Sequence, residues 1–173
     1  MKLTVRRLKA DDDRTEFHSG DVDLDRFFAR YAGQNQFRHH IGTTYVAVDE
    51  HERIVGFATV APSELVLARV PASSRKGLPK YPMPVLRLAR LAVDARAQGK
   101  GVGLSLLQAV VTLAQQLAES VGCLGLVVDA KPGAVRFYEK RGFVPLEAAA
   151  GLLGDRPEPL PMFLELGQRS SVR

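Results

Sequence analysis

The segment LAVDARAQGKGVGLSLLQAV, Leu91 to Val110, constrains the fold more than any other part of the chain. It opens as an apolar run, breaks at an acid and a group of polar and basic residues, places Gly99, Gly101 and Gly103 at alternate positions, and resumes with apolar residues at helical spacing. A strand that passes through glycines into a helix leaves the first helical N–H groups without intrahelical partners, and the helix dipole adds partial positive charge there. An anion satisfies both, and glycine, lacking a Cβ, lets it come close. Lys100, Arg96 and Gln98 supplement the charge and the hydrogen bonding. The pattern therefore predicts a strand–loop–helix unit that cradles a pyrophosphate. It is not a Walker loop, because Gly-Lys-Ser/Thr is missing. QGKGVG comes close to the dinucleotide spacing, but in mid-chain and without an early repeating βαβ organisation.

The flanking sequence supplies the other elements. KLTVRRL reads as a first strand, and SGDVDLDRFFARYA as a helix with Asp21 or Asp23 as its cap. Phe27, Phe28 and Tyr31 on that helix read as core or as a dimer face. TTYVAVD and RIVGFATVA predict a hairpin. The proline-rich region from Pro62 to Pro84 predicts loop, with a short strand at ELVLARV. VLRLARLAV is a strand, and the helix that follows the glycines runs from about Gly101 to Ser120, with Leu106, Leu107, Val110, Leu113, Ala114 and Leu117 as its buried stripe. LGLVVDA is a strand of the sheet interior. KPGAVRFYEKRGF is a short helix with Pro132 in its first turn and Gly142 at its end, and LPMFLEL is a last strand. Strands alternating with helices in the second half predict α/β architecture with some parallel pairing.

The totals exclude several classes. A chain of 173 residues suits one domain with its own core, expected over 1–166, with 167–173 as a loose tail. No apolar window is long enough to span a membrane, and MKLTVRRLKADDD lacks the apolar core of a signal peptide. The single cysteine, Cys123, makes no internal disulfide and no thiolate metal site by itself, and His39-His40 have no visible partners for a metal. A reduced cytoplasm and no metal are expected. The net charge of +5 fits anionic partners or serves solubility.

Gln98-x-x-Gly101-x-Gly103 after RLAVD, followed by RFYEKRGF, resembles the GNAT N-acetyltransferases, and the resemblance covers nearly the whole chain. It implies a central mixed twisted sheet of six to seven strands, flanked by about four helices and split in a V at the cofactor strand. It implies acetyl-CoA as cofactor, its pyrophosphate held by the amides of Gly99, Lys100, Gly101, Val102, Gly103 and Leu104, with Arg96 and Gln98 beside them. The pantetheine arm would pair like an added strand with Leu91, Ala92 and Val93. Tyr138, in the family's Phe-Tyr pair, is implied as the general acid that protonates the departing thiolate. Where many members have Asn or Asp after the penultimate strand this chain has Lys131-Pro132. Asp129 nearby either substitutes as a cofactor contact or caps the helix.

Many members also carry a glutamate base on the cofactor strand. VLRLARLAV has none; it carries Arg87 and Arg90, and Asp94 at its end is placed to shape the turn. Without a base a lysine, whose pKa is about 10.4, stays charged, whereas an α-amine titrates at roughly 8 and lower still once its carboxyl is esterified. An α-amino ester is the acceptor that suits such a site.

FHSGDVDLDRFFARYAGQNQ, VGFATVAPSEL and LPKYPMPVLRLARLAVD resemble one branch of the family, the toxins of toxin–antitoxin pairs that acetylate the amino acid on charged tRNA; Ser19 stands where members often have the cysteine of Phe-x-Cys-Gly. This implies aminoacyl-tRNA as substrate, translation blocked by capping its amine, a small antitoxin, commonly ribbon-helix-helix, as partner, and a homodimer. Arg75, Lys76, Lys80, Arg87 and Arg90 are the candidate tRNA contacts. Arg87 and Arg90, three apart in a period of two, do not share a face, so one faces the cleft and the other pairs with a carboxylate. The alternatives are a GNAT enzyme acting on a small amine, a polyamine or a protein N-terminus, and a binding domain that has lost turnover.

Overall fold

Asp21 answers the first local question. In the computed structural model, which describes residues 1–147 and 159–167, its carboxylate accepts hydrogen bonds from the amides of Asp23 (3.0 Å) and Leu24 (3.1 Å), and so caps helix α1, Val22–Arg26. Asp23 lies inside the first turn. The chain then widens into π-helical turns, first over Phe27–Tyr31, where the sequence predicts a regular helix, and again over Gln34–His39, beyond the end of that predicted helix. The apolar spacing explains the winding. Phe27 and Ala32, five apart, are both buried with Phe28, and the Ala32 amide donates to the Phe27 carbonyl. Tyr31 falls outside that face and is exposed.

The strands are β1 (Thr4–Arg7), β2 (Thr43–Val48), β3 (Ile54–Leu65), β4 (Met83–Val93), β5 (Gly125–Ala130), β6 (Val144–Pro145) and β7 (Leu160–Glu165). Among the described residues they form one seven-stranded sheet in the order β1-β2-β3-β4-β5-β7-β6. The remaining α-helices are α2 (Ala72–Arg75), α3 (Val102–Ser120) and α4 (Val135–Glu139). β4, α3 and β5 follow one another with the two strands as sheet neighbours, the strand–helix–strand unit that the sequence predicts.

The chain packs as two compact units. The first comprises Met1–Ala61 and Leu88–Leu113. Within it β1 and β3 both pair antiparallel with β2, as the hairpin reading requires. Its core gathers Leu8, Phe17, Phe27, Phe28, Val46, Val48, Phe57 and Ala92. The Phe28 and Phe57 rings stack at 4.4 Å, and Phe17 meets each of them edge-on. Leu106, Leu107 and Val110 are buried on α3. The helix comes so close that a Cβ at Gly56 would lie 2.7 Å from Val102 Cγ1 and 2.9 Å from Leu106 Cδ1. Gly56→Ala should therefore destabilise the fold by about 1–3 kcal/mol, because α3 must move or its side chains leave their rotamers. The denaturation midpoint measures it, and an unchanged midpoint refutes the close approach.

The second unit comprises Pro62–Arg87 and Ala114–Arg173. β7 pairs antiparallel with β5 and with β6. Leu65, Val70, Val85, Val127 and Phe163 form its core. The separate strand expected at ELVLARV is not there. β3 continues through Pro62 to Leu65, and the chain then turns through Leu67–Arg69. Pro62 is tolerated because the last β2 partner on this strand is Val60, so no β2 bond needs its missing N–H. The turn brings Val70 back into the core beside Leu65. β6, only two residues long, has no counterpart in the sequence reading. The expected tail, apart from Gly167, lies outside the described residues.

Candidate active site

β4 ends at Val93 with Asp94 next, and the Asp94 amide donates to the Val55 carbonyl at 2.9 Å. The Asp94 side chain is 2% exposed and caps the turn Ala95–Ala97 through the Arg96 amide (2.9 Å). It also accepts from the His18 amide (3.2 Å) and, in two-pronged fashion, from Arg96 Nε (3.0 Å) and Nη2 (3.2 Å). Burial by itself raises a carboxyl; here these hydrogen bonds outweigh it and hold Asp94 below the usual carboxylate range. Asp94 thus shapes the turn, as its place in the sequence suggests.

The turn is stitched to the segment Glu16–Ser19. The Ala95 amide donates to the His18 carbonyl at 2.8 Å. Gln98 Nε2 donates to the carbonyls of Ser19 (3.0 Å) and Val93 (3.1 Å). Arg96 Nη2 reaches the Glu16 carbonyl at 3.5 Å. Arg96 and Gln98, expected beside the pyrophosphate, are engaged in bracing the loop. Ser19 is itself fixed, its Oγ donating to Asp25 at 2.6 Å and accepting from the Asp21 amide at 3.1 Å. Sequence reasoning marked Ser19 only as a replacement. The polar run Ser19, Asp21, Asp25 was the available signal for a locked loop.

Past this brace the chain enters the glycine loop. Gly99 (φ +78°) and Gly101 (φ +83°) adopt left-handed backbone, and a Cβ at either would meet nothing within 4 Å. Lys100 between them is exposed. Val102 is buried and anchors the first turn of α3, while Gly103 and Leu104 are half-buried. A left-handed glycine turn leading into a 19-residue helix, whose first amides lack intrahelical partners, with a cation beside it, fits a pyrophosphate. Leu91 and Val93 are half-buried and Ala92 is buried on β4. Also on β4, the Arg90 guanidinium lies over the Phe27 ring, 3.8 Å from its centroid.

Asp94→Asn should lower stability by about 1–3 kcal/mol at neutral pH, since charge-assisted hydrogen bonds become neutral ones. The sign with pH follows from the depressed pKa. The stabilisation by the carboxylate is present above its ordinary value of 3.8 and is lost as pH falls through the lower folded value. The gap between wild type and variant should therefore narrow below about pH 4. Thermal melts from pH 3 to 7 measure it, and a gap independent of pH refutes the role given to the charge.

In the second unit Arg87 Nη1 pairs with Asp129 Oδ2 at 3.0 Å, both side chains part-exposed. Of the two strand arginines, Arg87 is thus the one that meets a carboxylate. Asp129 is held by that pair and does not cap the helix, since no side chain caps the turn Pro132–Ala134 or α4. Arg75 Nε donates to the Val70 carbonyl at 3.1 Å. Lys76 and Lys80 are exposed. Tyr138, on α4, is 4% exposed, its ring edge-on to Phe137 (5.1 Å) and Phe143 (5.2 Å). Burial pushes its phenol up to about 12, so it is protonated at any physiological pH.

The sequence profile of the acetyltransferase (GNAT) domain matches residues 15–150. The chain belongs to the GNAT family of N-acetyltransferases. As a GNAT protein it resembles the tRNA-acetylating toxin of Mycobacterium tuberculosis (strain ATCC 25618 / H37Rv), 34% identical over 125 residues, which are 72% of this chain and 74% of the relative. Among solved structures, AtaT complexed with acetyl-methionyl-tRNAfMet has 26% identity and a TM-score of 0.82, over 99% of this chain and 97% of that one. AtaTR bound with AcCoA has 26% identity and a TM-score of 0.77, over 98% and 97%. Among the described residues no helix is long and apolar enough to cross a membrane, and no cluster of His, Cys, Asp and Glu could hold a metal.

Proposed function

We propose that this acetyltransferase uses acetyl-CoA to acetylate the α-amino group of aminoacyl-tRNA, and so acts as the translation-blocking toxin of a toxin–antitoxin pair. Acetyl-CoA supplies the thioester whose acetyl group is transferred. The amides from Gly99 to Leu104 and the Lys100 ammonium hold the pyrophosphate, and the backbone of Leu91, Ala92 and Val93 orients the arm. Arg96 and Gln98 act on this site by bracing the loop. Tyr138 holds the proton at Oη that the reaction delivers to the leaving group. Lys76 and Lys80 meet tRNA phosphates, with Arg75, Arg87 and Arg90 contributing from positions already tied to the protein. A ribbon-helix-helix antitoxin and a homodimer complete the assembly.

Asp94 carries this reading. β4 has no carboxylate of its own, and the acid at its end is fully engaged with Arg96 and His18. No base therefore stands at the end of the strand to deprotonate a lysine-like amine, and an α-amino ester, with a pKa below roughly 8, needs none. The relative named for tRNA acetylation and the solved AtaT complex with acetylated methionyl-tRNA point to the same acceptor.

The test incubates purified protein with acetyl-labelled acetyl-CoA and bulk charged tRNA, with deacylated tRNA as control. Label on the charged tRNA alone supports the reading. Label absent there but transferred to polyamines or peptides overturns it in favour of a small-amine or N-terminal acetyltransferase.

A further inference from the structure

We infer that Tyr81 is a stacking platform for an unpaired base of the RNA acceptor, an assignment that rests on the tRNA reading above. Tyr81 is 63% exposed, against 44% for Tyr31 and 42% for Phe37, the other exposed aromatics among the described residues. A ring left so open in water is unusual for tyrosine, whose apolar body is ordinarily half covered. The sequence around it is one-signed, although in the fold Arg87 pairs with Asp129 and Ser74 Oγ donates to Glu165. From Leu65 to Val93 there is no Asp or Glu, while Arg69, Arg75, Lys76, Lys80, Arg87 and Arg90 fall in the same stretch.

Two of these cations come shortly before the ring in sequence, Lys80 directly and Lys76 one short loop earlier. Lys76 and Lys80 are exposed, and among the described residues neither makes an ion pair. The backbone that presents the ring is stiff. Pro79 and Pro82 flank Tyr81, and two residues on, Met83 is 4% exposed and begins β4. An exposed aromatic face on a stiff backbone, with two lysines shortly before it, is what a single-stranded nucleic acid end binds, the bases stacking on the ring while the ammonium groups meet phosphates. Twenty-nine residues without an acid complement a polyanion.

The experiment compares two acceptors with the same α-amine. One is charged tRNA, and the other an α-amino-acid methyl ester, which has no base to stack. Tyr81→Ala should lower the ratio of kcat/KM on tRNA to that on the ester by roughly ten-fold, with the change in KM, and Tyr81→Trp should restore it. An unchanged ratio in Tyr81→Ala, beside active wild type on tRNA, overturns the stacking role alone; so does a Tyr81→Trp variant as poor as Tyr81→Ala. Wild type that acetylates the ester but not tRNA overturns the functional reading, and the assignment of Tyr81 with it.

Discussion

Tyr138→Phe is expected to reduce the turnover of acetyl transfer by roughly 10²- to 10³-fold while acetyl-CoA still binds. The substitution removes one oxygen and leaves the ring. Because the Tyr138 ring packs edge-on between Phe137 and Phe143, phenylalanine fills the same space without a cavity. A loss of turnover is then a loss of the Oη proton. Burial sets how that proton is used. A phenol pushed up to about 12 is a weak acid, so it acts mainly as a hydrogen-bond donor to charge developing on the leaving sulfur, with transfer completed as the thiolate departs.

The same shift fixes the pH dependence. The folded pKa lies above the ordinary 10.0, so whatever stability the neutral phenol contributes is intact below pH 10 and is lost as pH rises towards 12. The wild-type kcat profile should therefore show no alkaline limb from Tyr138 below about pH 11. The measurement is steady-state kcat from pH 6.5 to 10, with acetyl-CoA affinity by calorimetry. Unchanged turnover in Tyr138→Phe removes the acid role, and a fall in wild-type kcat near pH 10 that the variant lacks contradicts the buried phenol.

The parts of this molecule that were legible in the sequence are those whose chemistry is local. The glycine loop announces itself because left-handed backbone before a helix demands glycine where it occurs, at Gly99 and Gly101. α3, β4 and β5 show their period or their apolar run within one segment. Asp94 reads as a turn residue because it caps a turn two residues away. What escaped the sequence is settled by long-range partners or by small energetic differences. Arg87 meets Asp129 across 42 residues, and Gln98 meets Ser19 across 79. Neither pairing leaves a local trace, so Gln98 reads in the sequence as a phosphate ligand and Asp129 as a cofactor contact or a cap. The π-helical turns depend on the cost of winding five residues where four would serve, repaid by seating Phe27, Phe28 and Ala32 in one core. The ELVLARV segment has the composition of a strand, and it turns where Leu65 and Val70 both join the core formed with Val85, Val127 and Phe163 from distant parts of the chain.

Gly101 is where backbone and cofactor chemistry are most tightly joined, and two substitutions there should separate them. Gly101→Val should weaken acetyl-CoA binding by about 100-fold and also lower stability by about 1–2 kcal/mol. The stability loss comes from placing a β-branched residue at φ +83°, where L side chains crowd the backbone. The binding loss has another source. A Cβ at this position, one residue before α3, meets no protein atom within 4 Å, so the new side chain projects away from the fold. There it keeps an anion from the amides, each of which contributes about 1.5–3 kcal/mol when hydrogen-bonded to charge. Gly101→Asn isolates the second effect, because asparagine tolerates left-handed backbone yet still occupies that space. It should retain nearly the wild-type melting temperature and bind acetyl-CoA as poorly as the valine variant. Calorimetry and thermal melts on the two proteins decide the matter. If Gly101→Asn binds like wild type, the glycine is needed only for the shape of the turn, and the pyrophosphate is held elsewhere. If both variants bind weakly while only one is destabilised, the loop amides are the anion site, and the spacing of Gly99, Gly101 and Gly103 is a requirement of the ligand as much as of the fold.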